Sequence, residues 1–162
     1  MSRSLAFLVL FAVGSAVVAG SVRAAATPAA TEAATTSQRA AIDRLVADYV
    51  GLYAGPTLGR WKTLFHPALC VASPQDDGSI KVRSLEEFYE RQRSYFATGR
   101  KIGERLENVM INEGRRIARV TADFVFIDEG VESRGRLGLH LAQGNDGWKV
   151  VAILFSYDEA GS

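Results

Sequence analysis

The sequence predicts an α+β domain: N-terminal helices packed on one face of a curved, mostly antiparallel six-stranded sheet. Three observations carry this. Apolar residues recur at three-and-four spacing between Ser37 and Phe65. A helix-starting box, Ser84-Leu85-Glu86-Glu87, follows a short hairpin signal. From Gly103 to Tyr157 apolar and polar residues alternate, with turn signals at Glu129-Gly130 and Asp146-Gly147.

Residues 1–26 read as a secretory leader. Arg3 gives the positive start, Leu5 to Ala19 is nearly all apolar, and Val22-Arg23-Ala24 or Ala24-Ala25-Ala26 offers a small-residue cleavage site. Gly14, Ser15 and Gly20 interrupt a run that is already short of the roughly 20 residues that span a bilayer. The expectation is an exported protein, periplasmic or secreted. Residues 27–36, rich in Ala, Thr and Pro, contain no aromatic or large aliphatic side chain and are expected to form a disordered tether. A single domain is then expected over 37–158, followed by a four-residue tail at 159–162.

Ile42, Leu45, Val46, Tyr49, Val50 and Tyr53 share one stripe of a first helix, which Ala54-Gly55-Pro56 ends. A short helical stretch brings Leu58, Trp61, Leu64 and Phe65 into phase, and Pro67 is expected to stop it. Leu69–Ser73 and Ile80–Arg83 read as strands around the turn Asp76-Asp77-Gly78. The helix that starts at the capping box presents Leu85, Phe88, Gln92, Tyr95 and Phe96 inward. Ala118, Val120, Ala122, Phe124 and Phe126 share one face of a later strand. A two-residue turn at Glu129-Gly130 sets Asp123 opposite Arg136 and Ala122 opposite Leu137. A one-residue slip would oppose Phe124 to Arg134. The last strand is apolar on both parities, so it needs cover on both faces. This predicts a homodimer through the outer sheet face near Ile153 and Phe155.

Arg3 and Arg23 fall in the leader, so the mature chain is close to neutral and offers no basic footprint for nucleic acid or an anionic membrane. With two His and one Cys, no protein-built metal site and no cofactor is expected. Cys70, between Leu69 and Val71, is expected to be buried as a small hydrophobe. There is no Gly-rich phosphate loop and no Gly-x-Ser-x-Gly elbow.

Leu64-Phe65-His66-Pro67, Ser84-Leu85-Glu86-Glu87-Phe88 and Gly147-Trp148-Lys149-Val150 together resemble the nuclear transport factor 2-like superfamily, in its SnoaL-like and lumazine-binding branch. The resemblance spans about residues 46–157. It implies a cone-shaped cystatin-like fold enclosing a pocket, often in a homodimer. Against ketosteroid isomerase, of the same superfamily, Tyr49 matches the oxyanion-hole tyrosine. The general-base aspartate falls on Ser73, and the second oxyanion acid falls near Gly138 or His140. A neutral Ser cannot shuttle a proton as a carboxylate does. His66, at a helix-to-strand corner, is expected to satisfy backbone carbonyls. His140 and Asp123 are expected in a polar cluster on the outer face, away from any pocket. The reading is a domain that binds a small apolar or aromatic molecule, without demonstrable catalytic machinery. Tyr49, Tyr53, Trp61, Phe65, Ser73, Tyr95 and Phe124 are its candidate lining, with the Tyr49 hydroxyl expected near Ser73 or Tyr95. One alternative is a lyase or isomerase of the polyketide cyclase or dehydratase type. The other is a structural homodimer with a filled pocket.

Overall fold

The computed structural model describes residues 28–158, so the leader and the tail lie outside the described residues. Helix α1 (Pro28–Gly51) leads through a 3-10 turn (Gly55–Thr57) into α2 (Leu58–Lys62). Strands β1 (Phe65–Pro74) and β2 (Ile80–Ser84) precede α3 (Leu85–Ala97). Strands β3 (Ile102–Glu113), β4 (Ile117–Asp128), β5 (Val131–Gly144) and β6 (Gly147–Tyr157) complete the sheet. Its order is β2-β1-β6-β5-β4-β3, with every neighbour antiparallel except β1 and β6.

Two boundaries differ from expectation. α1 begins at Pro28, so most of the expected tether is helical. Proline suits the first helical position, and Ala29, Ala30, Ala33 and Ala34 are the strongest helix formers, needing no buried face. Strand β1 begins at Phe65 and runs through Pro67, which lacks a ladder N–H. The β1–β6 register shifts between Phe65 and Cys70, and this irregularity accommodates the proline.

The capping box closes as the sequence predicts. The Ser84 hydroxyl accepts from the Glu87 amide at 3.3 Å, and Glu87 Oε2 accepts from the Ser84 amide at 2.8 Å. The β4–β5 register pairs Asp123 with Arg136 and Ala122 with Leu137. Glu129 and Gly130 form the turn with φ of 53° and 85°, the left-handed values of a two-residue hairpin.

Inner side chains of the sheet, including Val120, Leu139, Val150 and Ile153, meet Ile42, Leu45 and Tyr49 of α1 and Phe88 of α3. A bulge in the β5–β6 pairing changes the parity of β6 after Val150. Ile153 is therefore buried and Phe155 packs inward, which corrects their placement on the outer face. Leu154, 50% exposed, takes the outward position. Cys70 also corrects an expectation: it is exposed, because Leu69, Val71 and Ser73 occupy the inward parity of β1.

Gly135 marks a close approach. A Cβ there would lie 2.1 Å from the Ser156 carbonyl oxygen and 2.6 Å from Phe124 Cε1. Backbone cannot yield to relieve the first clash, so Gly135→Ala is expected to cost about 3 kcal/mol in urea denaturation. Gly138→Ala on the same strand, where the nearest atom is 3.8 Å away, is expected to change little.

Candidate functional site

Helix α1 lies across the sheet and α3 flanks it, and between them opens a cavity of about 570 Å³. This lies within the roughly 300–1,000 Å³ typical of small-molecule pockets. Tyr49, Tyr53, Trp61, Ser73, Tyr95 and Phe124 line it. Phe65 does not. It is buried behind the lining, edge-on to Trp61 at 4.6 Å and to Tyr49 at 6.3 Å, so it belongs to the packing that holds the wall.

The wall is rigid for identifiable reasons. Trp61, 1% exposed, donates its indole N–H to the Tyr49 carbonyl at 2.8 Å. That bond ties α2 to a turn of α1 close to its C-terminal end. Trp61 also meets the rings of Tyr53, at 5.2 Å, and Phe88, at 5.6 Å. The Tyr53 hydroxyl donates to Gln92 Oε1 of α3 at 2.5 Å, so the buried amide and phenol satisfy each other. Ser73 is held from the β1–β2 turn, its hydroxyl accepting from Gln75 Nε2 at 3.0 Å.

Sequence reasoning missed the group with the most chemical capacity, Glu104 of β3. Glu104 lines the cavity, and its partner across the sheet, Phe126, lines it too. Its Oε1 is enclosed and has no hydrogen-bond partner. Burial pushes the carboxyl up to about 7, opposed by the Tyr49 hydroxyl beside it. Tyr49 is in turn raised well above its ordinary value, by burial first and then by the Glu104 charge, so it stays a neutral donor. The Tyr49 hydroxyl thus has Glu104 as a neighbour in the cavity that Ser73 and Tyr95 also line. A signal existed: Glu104 shares strand parity with Ile102 and Leu106, both packed against the core.

Burial also raises Tyr53 and Tyr157, and the Glu104 charge is the next cause for each. These phenols therefore form a polar surround to the carboxyl inside an aromatic wall. Tyr95 accepts a hydrogen bond from Arg91 Nη2 at 2.8 Å, which leaves its own O–H free to donate. Arg83, Arg91, Gln75 and Asp76 also line the cavity, and Arg91, Gln75 and Asp76 are exposed at its solvent side.

The other sequence candidates lie elsewhere. His66 is exposed, and its Nδ1 accepts from the Ala68 amide at 3.1 Å. His140 is exposed on the outer face, opposite Arg119. Asp123 accepts from Asn108 Nδ2 at 2.6 Å and from Arg136 Nη1. Among the described residues no group of three or more His, Cys, Asp or Glu gathers to hold a metal ion.

A profile of the SnoaL-like domain matches residues 42–158, which contain every element of the fold after the first turns of α1. The chain belongs to the SnoaL-like domain family. No curated protein sequence matches it. Solved structures share its fold. A nuclear transport factor 2-like protein with a cystatin-like fold from Novosphingobium aromaticivorans is similar at a TM-score of 0.66 and 13% identity, over 86% of this chain and 94% of that one. A candidate dehydratase of the same superfamily from Streptomyces avermitilis is similar at a TM-score of 0.63 and 14% identity, over 77% of this chain and 99% of that one. A protein of unknown function from Nostoc punctiforme is similar at a TM-score of 0.60 and 13% identity, over 75% and 92%. For this SnoaL-like chain such identities carry the fold alone, and the chemistry must be argued from its own cavity.

Proposed function

We propose that this SnoaL-like domain takes a small aromatic or alicyclic compound into its cavity and moves a proton on it, as a lyase or isomerase does, with Glu104 as the proton carrier. The supporting observation is a buried carboxyl on the lining of a ligand-sized cavity, one of its oxygens without a partner, beside a neutral phenol. A carboxyl held near 7 exchanges protons at neutral pH in either direction, whereas an ordinary carboxylate is too weak a base. In the forward step, the Glu104 carboxylate accepts a proton from a carbon next to a carbonyl. The C–H electron pair moves into the enolate, whose oxygen takes a hydrogen bond from a cavity phenol, and Tyr95 has its O–H available. Return of the proton to a different carbon gives an isomer, and its transfer to a hydroxyl on the β-carbon, which then leaves as water as the enolate electrons form the C=C bond, gives a dehydrated product.

Proton exchange tests this. Incubated with tetralone in D₂O, the protein is expected to speed deuterium entry next to the carbonyl, with a rate that rises with pH through about 7 as Glu104 ionises. Tetralone that binds without faster exchange would reduce the role to binding alone. Tyr49→Phe removes the hydroxyl that favours the Glu104 carboxylate, so the midpoint of that profile is expected to move upward, with little loss of stability.

Export and dimerisation are part of the same proposal. The leader pattern of residues 1–26 supports action outside the cytoplasm, and amino-terminal sequencing of the exported protein is expected to begin near Ala25 or Thr27. Among the described residues no helix is long and apolar enough to cross a membrane. The dimer now rests on different residues: Ile80, Met110 and Leu154 are 70%, 63% and 50% exposed, and all three line one hollow on the outer sheet face. Exposed apolar side chains that share one hollow support a second copy of the chain as its cover. Sedimentation of Leu154→Glu is expected to give monomer where the native chain gives dimer.

A further inference from the structure

The cavity mouth carries charges that proton transfer at Glu104 does not use, and a role for them rests on the ligand-binding reading of the cavity. Arg83 of β2 and Arg91 of α3 reach the same cavity from two elements. Seven other basic residues are engaged in ion pairs: Arg39, Lys62, Arg93, Arg100, Arg105, Arg134 and Arg136. Among the described residues Arg83 makes no ion pair and no hydrogen bond. Arg91 spends one N–H on the Tyr95 hydroxyl and lies 5.2 Å over that ring, and makes no ion pair. Glu87, the acid whose field reaches Arg83, is held in the capping box by the Ser84 amide and hydroxyl. Asp76, the other acid of the mouth, is exposed and pairs with neither arginine.

We propose that Arg83 and Arg91 form a clamp for a carboxylate, and that the ligand is a monocarboxylic acid with an aromatic or alicyclic body. Two guanidinium groups that converge without an acid between them repel each other. Arg83 is shifted down by burial and then by Arg91, so the neighbouring guanidinium opposes its charge. An anion at the mouth removes it. The planar fork of each guanidinium matches a carboxylate with two parallel hydrogen bonds. Against two arginines and Asp76 the mouth carries one net positive charge, which suits a monoanion better than a phosphate dianion. Behind the mouth the walls are Trp61, Phe88, Phe124 and Phe126, which suit an apolar ring. The Arg91 charge also reaches Tyr53 and Tyr157, so the clamp and the proton-handling phenols share one space. A carboxylate fixed at the mouth would orient the body of the ligand toward Glu104.

Calorimetric titration of the full chain with naphthoate, naphthamide and naphthyl phosphate tests this, because the three share a ring and differ in charge. Naphthoate is expected to bind about tenfold tighter than naphthamide at low salt, the order of one charged hydrogen-bond pair, with the advantage shrinking as salt rises. Arg83→Gln, which removes no hydrogen bond or ion pair among the described residues, is expected to remove most of that advantage while naphthamide affinity stays unchanged and the melting temperature does not fall. Arg91→Gln is expected to do the same, with a small added effect through Tyr95. Equal binding of naphthoate and naphthamide, or an advantage that survives both substitutions, overturns the clamp and leaves the pocket reading in place. Naphthyl phosphate binding tighter than naphthoate overturns the carboxylate assignment. No binding by any of the three overturns the clamp and counts against the pocket reading as well.

Discussion

Glu104→Gln is expected to lower the deuterium-exchange rate by about 10²–10⁴-fold, the usual worth of a positioned acid–base group, and to make the protein more stable at pH 8. The opposite signs distinguish a functional carboxyl from a structural one. Glu104 is raised in the folded state, from 4.5 to about 7. Between those values the unfolded chain has released its proton while the folded chain keeps it. Folded protein therefore loses stability as pH rises through that window and regains it as pH falls. Allowing for the partial exposure of the residue, the loss is roughly 2 kcal/mol. Gln keeps the shape and a polar group beside Tyr49 without a charge, so urea denaturation of the variant is expected to lose this slope. If Glu104→Gln were instead destabilised at every pH, the carboxyl would be a structural partner of Tyr49.

Trp61→Ala is expected to cost about 3–5 kcal/mol, the range for emptying a buried aromatic site. Trp61 is among the largest fully buried side chains and touches the rings of Tyr49, Tyr53, Phe65 and Phe88. Its loss also strips the Tyr49 carbonyl of its side-chain donor. Tyr49 and Tyr53 are then free to shift into the void, so ligand affinity is expected to fall along with stability. Trp61→Phe keeps most of the ring and loses only the N–H, and is expected to recover most of both. Chemical denaturation of the two variants, read with naphthoate titration, separates the packing effect from the tether.

The sheet was legible where local chemistry is strong. The capping box at Ser84 and the turn at Glu129-Gly130 each depend on a few adjacent residues, and both fall where their residues place them. The helix stripes were legible enough to bring Tyr49, Tyr53, Trp61 and Tyr95 to one cavity, where the strand residues Ser73 and Phe124 join them. What failed depends on longer-range geometry. The parity of β6 is reset by a bulge that strict alternation does not reveal, so alternation alone puts Ile153 and Phe155 on the wrong face. Phe65 shares a helical phase with Trp61, which suggests a place in the lining, but the chain is already a strand at Phe65. Glu104 sits in a strand with charged neighbours, Arg105 and Glu107, that engage Glu132 and Arg134 on the surface. Within that charged run its inward parity stands out only when Ile102 and Leu106 are known to be core residues.

Carbon-13 NMR of protein labelled at the glutamate side-chain carboxyls follows Glu104 directly, with Glu104→Gln assigning its resonance. A proton carrier in the cavity predicts a carboxyl that titrates with a midpoint near 7, moves higher in Tyr49→Phe, and shifts when naphthoate enters. A midpoint near the ordinary 4.5, unmoved by either change, would contradict it.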